Sequence, residues 1–249
     1  MALRGDNDEK VEAVLKQDPH VSIFLQPIAP PAALGLAGFA GSTFITAAWI
    51  AEWFGNAESP LYFFPFIAFW GGLAQFIAGL FGYRARDCLV TVIHTLWGSF
   101  WMSIGLLYAF VAAGAIQPQS IWAHFPELAI WFVVMAAFTW SGAIAATARD
   151  VILAAILFSL AIGSTIACCL FAYGHGVKDG MKAAAYFWLL AALLAWWRVT
   201  VYLIEEAYGP KSSVAKFFPV FRTSLEKSSP LIVPGLGEPG VNRGMPGVI

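Results

Sequence analysis

Long apolar stretches separated by short polar segments fill most of this 249-residue chain. Six of the stretches hold about 18 or more residues with almost no charge, and a helix of roughly 20 residues spans a hydrocarbon core of about 30 Å. Because an unpaired backbone group is costly in lipid, the stretches are predicted to be helices rather than open strands. They cover residues 33–54, 61–83, 88–113, 127–147, 151–173 and 183–204.

The composition favours a membrane protein over a soluble one. Hydrophobic residues make up 59% of the chain and charged residues 12%, about half the usual charged share of a soluble domain. The alternative is a soluble protein with six buried core helices, but nothing in the chain could cover such helices with a polar shell. The predicted fold class is therefore an all-α integral membrane protein with six transmembrane helices.

The chain length leaves room for one membrane domain and two modest tails. The predicted domains are an N-terminal tail over residues 1–32, a six-helix transmembrane domain over 33–208 and a Pro/Gly-rich C-terminal tail over 209–249. A net charge of −1 provides no field to attract nucleic acid, so no such partner is expected. The motifs HExxH, P-loop and GxSxG do not occur. We therefore predict neither catalysis nor a bound metal or cofactor.

Basic residues indicate how the helices are oriented. Lys and Arg collect in both tails and in the second and fourth loops between helices. The first and third loops carry none, and the fifth carries only Lys178 and Lys182. By the positive-inside rule, both termini are predicted to be cytosolic. This orientation requires an even number of spans, which agrees with six.

The third predicted helix carries a stripe of hydroxyl side chains. The stripe consists of Thr91, Thr95, Ser99 and Ser103, which lie four residues apart and therefore share one helix face. It either lines a polar path or bonds helices together, since such hydroxyls also donate to carbonyls one turn earlier. His94 flanks the stripe and is either a proton-sensitive group or a neutral hydrogen-bonded histidine.

Few other polar side chains lie within the predicted spans. Gln75 is near the middle of the second span, where an amide needs a hydrogen-bond partner on a neighbouring helix or on a ligand. Arg198 lies near the cytosolic end of the last span, and we favour a side chain that reaches the interface over one that binds substrate. Glu52 and Glu127 fall at the outer ends of the first and fourth spans, where solvation is favoured over a role at an entrance.

Three segments resemble a known family of transporters. Residues 31–39 read PAALGLAGF, beside the NPAPLGL signature of the acetate uptake transporter family, the succinate–acetate permease group. Residues 69–75 read FWGGLAQ beside FYGGxAQ, and residues 95–101 read TLWGSFW beside TSYGSFW. The order, the spacing and the six-span layout agree over residues 30–208. The tail segment 231–244 resembles that of fungal members.

The resemblance implies a plasma-membrane channel or proton-coupled permease for acetate and similar small monocarboxylates. It also implies a homohexamer in which each protomer encloses its own pore, surrounded by membrane lipid. The narrow hydrophobic constriction of the family falls on Phe39 and Trp97, and on Leu160 in the fifth span.

Substrate contacts in the family carry over to Leu34, Gly35 and Gln75. We add Thr95 and Ser99 of the hydroxyl stripe as predicted substrate contacts. The predicted path runs from the outer ends of the first and fourth helices, past the constriction, and along the stripe to the cytosol. A carboxylate pays a large desolvation penalty in such a constriction, so the constriction favours the neutral acid or the cotransport of a proton.

Several positions depart from the family signatures. The signature asparagine is Pro30 and the second signature proline is Ala33, while two tyrosines are Trp70 and Trp97. An indole is bulkier than a phenol and can only donate a hydrogen bond. A narrower and less polar throat can select a different solute. The alternatives are therefore an exporter or channel for another solute such as ammonium, or a membrane sensor that does not transport.

Overall fold

The computed structural model describes residues 28–209 and 212–228, and within these ranges the protein consists of helices and short connections without a strand. Six helices are long and apolar enough to cross a membrane, which confirms the predicted fold class. They are α1 Pro31–Ile50, α2 Ser59–Arg84, α3 Cys88–Ala112, α4 Pro126–Ala146, α5 Val151–Tyr173 and α6 Val177–Tyr208. A 3-10 turn, Ala215–Phe217, and a short helix, α7 Ser224–Ser228, follow. The first 27 residues of the predicted N-terminal tail and the stretch 229–249 of the C-terminal tail lie outside the described residues.

Local sequence sets most helix starts. Proline occupies the first turn of α1, α2 and α4, where its fixed φ suits a helix and its missing N–H costs nothing. Asp87 caps α3 by accepting a hydrogen bond from the Val90 N–H at 3.0 Å. Asp150 caps α5 in the same way, with the Leu153 N–H at 2.8 Å. These caps fix the predicted starts of α3 and α5.

Helix α2 is irregular in its middle. Pro65 lies inside it, and residues Ala68–Ala74 form a π-helical segment. Proline removes one backbone donor and crowds the preceding turn, which favours a local change of helical pitch. The widened turn lies within the 69–75 motif, and π-helical turns often accompany functional sites.

Among the helix bounds that differ from the sequence prediction, the end of α1 and the start of α6 are linked by ion pairs. Helix α1 ends at Ile50 because Glu52 adopts a left-handed backbone with φ of 61°. Helix α6 already begins at Val177, so that Lys178 and Lys182 lie in its first two turns. The Glu52 carboxylate lies 3.2 Å from the Lys178 ammonium and 2.5 Å from that of Lys182. Lysines that hydropathy assigns to a loop are thus helical residues paired with an acid in loop one.

The six long helices form a closed ring. Each packs against the next in sequence, and α6 packs against α1. Glycine brings α2 and α3 especially close: a Cβ on Gly98 would lie 2.6 Å from the backbone nitrogen of Phe76. We call the end of the ring that carries loops one, three and five the outer end, and the end that carries loops two and four the inner end.

The chain returns to the inner end after α6. Residues 219–226, here named the C-terminal segment, lie against loop four. The Thr223 N–H donates to the Arg149 carbonyl at 2.8 Å, and Asp150 and Arg222 form an antiparallel bridge. The indole of Trp197 donates to the Pro219 carbonyl at 3.2 Å. Part of the polar tail therefore packs on the helical bundle.

Candidate functional site

A large apolar cavity of about 460 Å³ occupies the outer half of the ring. Its walls come from the C-terminal parts of α1, α3 and α5, the N-terminal parts of α2, α4 and α6, and loop three. Aromatic side chains dominate the lining, including Trp49, Phe64, Phe100, Phe132 and Trp188. Such a cavity holds a small organic solute with little competition from water.

Few polar groups face this cavity. Glu127, at the start of α4, belongs to its lining. Thr43 and Thr46 of α1 also line it, and neither hydroxyl has a hydrogen-bond partner among the described residues. Both hydroxyl oxygens are buried in the wall of the cavity, so a solute would reach them only after side chains of the lining move.

The predicted constriction residues lie at the inner limit of the cavity. Phe39, Trp97 and Leu160 are each no more than 3% exposed, so none of them faces lipid. The rings of Phe39 and Trp97 meet edge to face, with centroids 6.4 Å apart and planes at 69°. Trp97 and Leu160 both line the outer cavity. The structure thus brings Phe39 into contact with Trp97 and places Leu160 on the same cavity wall as Trp97.

A hydrogen bond fixes the orientation of Trp97. Its indole N–H donates to the Thr139 hydroxyl on α4 at 3.0 Å, and that hydroxyl donates to the Met135 carbonyl at 2.6 Å. Both residues are buried. The only donor of the indole is therefore engaged, and Trp97 presents only hydrocarbon to the interior of the ring.

A second, much smaller pocket of about 30 Å³ lies on the inner side of Phe39. Helices α1, α3, α5 and α6 line both cavities. On three of these helices, a residue that lines one cavity lies within one or two turns of a residue that lines the other. The successive residues are Leu36 and Thr43 on α1, His94 and Trp97 on α3, and Leu157 and Leu160 on α5. The two cavities therefore follow one another along the same four helices, and we name them together the conduit.

Three of the predicted site residues meet around His94, which lines the inner pocket, whereas Gln75 and Gly35 line neither cavity. The Gln75 side chain is 1% exposed and its amide N–H donates to Nδ1 of His94 at 3.3 Å, which requires the histidine tautomer with its proton on Nε2. The Gln75 Oε1 has no partner among the described residues. Gly35 lies against the His94 ring, where a Cβ would come within 2.5 Å of it.

The other predicted substrate contacts lie apart from the conduit. Leu34 is 39% exposed on the outside of the ring. Thr95 donates to the Thr91 carbonyl at 2.6 Å, and the exposed Ser99 donates to the Thr95 carbonyl at 2.7 Å. Neither of these hydroxyl residues lines either cavity. A substrate contact by Leu34, Thr95 or Ser99 stays a prediction.

Sequence reasoning missed a cluster of ion pairs at the inner end. The Arg149 guanidinium holds Asp87 through two hydrogen bonds of 2.7 and 2.5 Å. The Arg198 guanidinium lies 3.0 Å from the Asp150 carboxylate, and their side chains are 2% and 0% exposed. The interpretation of Arg198 as an interfacial side chain was therefore wrong, because its charge is buried beside an acid. An arginine directly before an aspartate in both short inner loops, at 86–87 and 149–150, was the available signal.

Comparisons with known proteins agree with the motifs. The sequence profile of the GPR1/FUN34/yaaH family matches residues 16–215. No curated protein matches the chain significantly. Among solved structures, the bacterial acetate channel SatP has a similar fold, with a TM-score of 0.64 at 21% identity, over 73% of this chain and 96% of that one. The match of the profile to most of the chain confirms the resemblance of the three motifs, and the chain belongs to the GPR1/FUN34/yaaH family.

Proposed function

We propose that the protein moves acetate or a similar small monocarboxylate across a membrane through the conduit inside its own helix ring. The observation that carries this proposal is the alignment of the two cavities, which share four helices and are separated only at Phe39, Trp97 and Leu160. Membership of the acetate transporter family supports the solute class. The likeness in fold to the acetate channel SatP supports the architecture.

The dry constriction favours the neutral form of the acid. A carboxylate that loses its water without gaining hydrogen bonds pays a desolvation cost of several kcal/mol, and the only polar group of Trp97 already bonds Thr139. A protonated acid avoids most of this cost and carries its proton along. Net transport is then equivalent to proton symport.

Gln75 and His94 are the polar groups that we assign to the solute beyond the constriction. The Gln75 Oε1 is buried without a partner among the described residues and is able to accept the acidic O–H of a neutral acid. His94 bonds the same amide and faces the inner pocket. We assign Gln75 the role of orienting the acid and His94 that of the proton-sensitive group.

We further propose a homohexamer in the plasma membrane, with both termini in the cytosol. The conduit lies within one ring, so every protomer would carry its own. Large apolar side chains on the outside of α4, such as Ile130, Val133, Phe138 and Ile144, suit contact with lipid or with neighbouring protomers. The basic residues of loops two and four support a cytosolic inner end.

Uptake of radiolabelled acetate by proteoliposomes tests the function, with protein-free liposomes as the background. Trp97→Ala removes the constriction and should change the uptake rate severalfold, whereas Gln75→Ala should lower it. Trp196→Ala is the matched control, because this tryptophan is 65% exposed and lies on the outside of the helix ring.

The outcomes separate the function from the path. Uptake no faster than the background for a panel of short acids would reject carboxylate transport. If Trp97→Ala and Gln75→Ala change the uptake rate no more than the control Trp196→Ala does, the proposed path is rejected. If the protein moves another solute such as ammonium and added acetate does not reduce that flux, the result would favour the alternative transporter.

A further inference from the structure

The inner pocket contains an arginine with unused hydrogen-bonding capacity. Arg198 lines this pocket with a side chain that is 2% exposed. One of its terminal nitrogens faces Asp150, while Nε and Nη1 have no hydrogen-bond partner among the described residues. The Tyr202 ring covers the guanidinium at 4.4 Å and shields it from solvent. Nε and Nη1 lie on different edges of the guanidinium, so each is a desolvated donor that can give one charge-assisted hydrogen bond to a carboxylate.

The charges around the pocket leave room for one more anion. Arg149 also lines the pocket, but both of its terminal nitrogens already bond Asp87. Arg86, Arg149 and Arg198 lie at the inner end with the carboxylates of Asp87 and Asp150, beside the separate ion pair of Arg222 and Glu205. Burial of a net charge is costly, so a third carboxylate stabilises this cluster.

The C-terminal segment supplies that carboxylate. Glu226 is 5% exposed and lines the inner pocket together with Arg149 and Arg198. Its backbone N–H bonds the Thr223 hydroxyl at 3.1 Å, which fixes the first turn of α7 over the pocket. A side chain from the tail therefore stands where a solute carboxylate would leave the conduit.

The attachment of this segment is polar and local. Thr223 donates to the carbonyls of Ala148 and Arg149, and Arg222 lies 2.5 Å from the Glu205 carboxylate. Phe221 and Leu225 are 64% and 62% exposed, so the apolar surface that the segment buries comes mainly from Val220, which is 4% exposed. Elements held by few apolar contacts open at low free-energy cost without unfolding the rest of the protein.

We infer that the inner pocket is a carboxylate-binding subsite built on Arg198, and that Glu226, whose charge lies in the lining of the same pocket, closes it in this state in competition with the carboxylate of the transported acid. The inference rests on the proposed function for the identity of the solute. When an acid arrives, it replaces Glu226 beside the arginines and the C-terminal segment moves away. When the conduit is empty, Glu226 returns and closes the inner end.

Acetate flux in proteoliposomes tests the competition with the full chain. Glu226→Gln keeps the shape of the side chain but removes its charge, so acetate flux at subsaturating concentration should rise severalfold. Glu206→Gln is the matched control, because Glu206 is an exposed carboxylate near the end of α6, and its flux should equal that of the wild type. Arg198→Lys keeps a positive charge beside Asp150 but loses the second donor edge, so its flux should saturate at higher acetate concentrations.

Labelling of a cysteine in the pocket gives a readout that does not depend on flux. Val90 lines the inner pocket and is 5% exposed. In a Val90→Cys variant whose three native cysteines are replaced by serine, a membrane-impermeant thiol reagent applied from the inner side should react slowly. Acetate, or the additional change Glu226→Gln, should accelerate the reaction severalfold.

The two measurements distinguish the failure of this inference from that of the proposed function. A wild-type protein that moves no acetate, yet whose labelling accelerates with acetate, would reject transport and retain the subsite. Acetate flux that is equal in Glu226→Gln and Glu206→Gln, together with labelling that ignores acetate, would overturn the inference and retain transport.

Discussion

The indole N–H of Trp97 donates to the Thr139 hydroxyl at 3.0 Å, which ties the ring on α3 to α4. The same ring meets Phe39 of α1 edge to face. The hydrogen bond and the ring contact together hold the indole in one orientation. Of the two, the hydrogen bond to Thr139 is the directional contact, so we expect the width of the conduit at this level to depend on it. Removal of this bond should affect both stability and selectivity.

Thr139→Val tests this dependence, because valine has the shape of threonine without its hydroxyl. The buried indole N–H loses its acceptor, which should lower the free energy of unfolding by about 1–3 kcal/mol. The freed ring should also admit longer acids, so the ratio of butyrate to acetate flux should rise.

The chain provides a matched control for this substitution. Thr165 of α5 accepts a hydrogen bond from Trp140 at 3.0 Å in the same arrangement, but on the exposed side of the bundle. Thr165→Val should leave the flux ratio unchanged. Equal ratios in both variants would contradict a gating role for the bond between Trp97 and Thr139.

Gly35→Ala tests the close contact between α1 and His94. The new Cβ would lie 2.5 Å from the ring, so the ring must move away from Gln75. Overpacking of this kind costs about 1–3 kcal/mol, and acetate flux should fall. His94→Ala removes the obstacle, so the double variant should be at least about 1 kcal/mol more stable than the sum of the two single effects. Additive effects on the thermal unfolding midpoint would contradict the contact.

Asp87→Asn tests the ion pair at the inner end. Asparagine still caps α3, but Arg149 loses its charged partner in a site where the two side chains are 15% and 9% exposed. We expect a destabilisation of about 3 kcal/mol, measured by thermal unfolding in detergent. The double variant with Arg149→Met removes both charges and should recover most of this loss. A double variant as unstable as Asp87→Asn would contradict the ion-pair explanation.

The stability of the outer end should depend on pH through Glu52. Hydrogen bonds from Lys182 and then Lys178 hold the pKa of Glu52 below its ordinary value of 4.5. A lowered pKa in the folded state gives stability that is fully present above about pH 4.5 and is lost as the pH falls through the lowered value. Glu52→Gln should therefore lower the unfolding midpoint at pH 7, and this difference from the wild type should shrink as the pH falls through the lowered pKa.

Salt provides the control for this prediction. The carboxylate is exposed, so about 1 M NaCl should screen the pairs and reduce the difference between wild type and Glu52→Gln at pH 7. A difference that persists at low pH and in high salt would assign the effect to the left-handed backbone at Glu52 instead of its charge.

The six spans could be predicted well from sequence because hydropathy measures how strongly a segment prefers the hydrocarbon core of a bilayer to water. The bounds of α5 agree with the prediction at both ends, since Asp150 caps its start and Gly174, with φ of 73°, ends it. The start of α6 could not be predicted, because its lysines are neutralised by Glu52 from another part of the chain. Hydropathy counts a charge but does not detect its partner.

The candidate site was only partly predictable for a similar reason. Motifs identified Gln75 and Trp97, but the contact between Gln75 and His94 depends on the register of α2 against α3. For Arg198, the surrounding sequence is apolar on all faces of the helix, so spacing cannot tell which side meets the ring interior. The even spacing of the hydroxyl stripe defines one face of α3. It does not tell whether that face points into the ring or away from it, because each hydroxyl can bond a carbonyl of its own helix.

The seam between α2 and α3 limits how the conduit can open. Backbone atoms approach so closely at Gly79 and Gly98 that an added Cβ would lie 2.6 Å from a nitrogen of the other helix. These two helices cannot slide or tilt apart without losing that fit, so they move as one rigid body that carries Trp97. An opening of the conduit therefore requires aromatic rings to rotate or the α2–α3 pair to move as a unit against the other four helices, and not a separation along this seam.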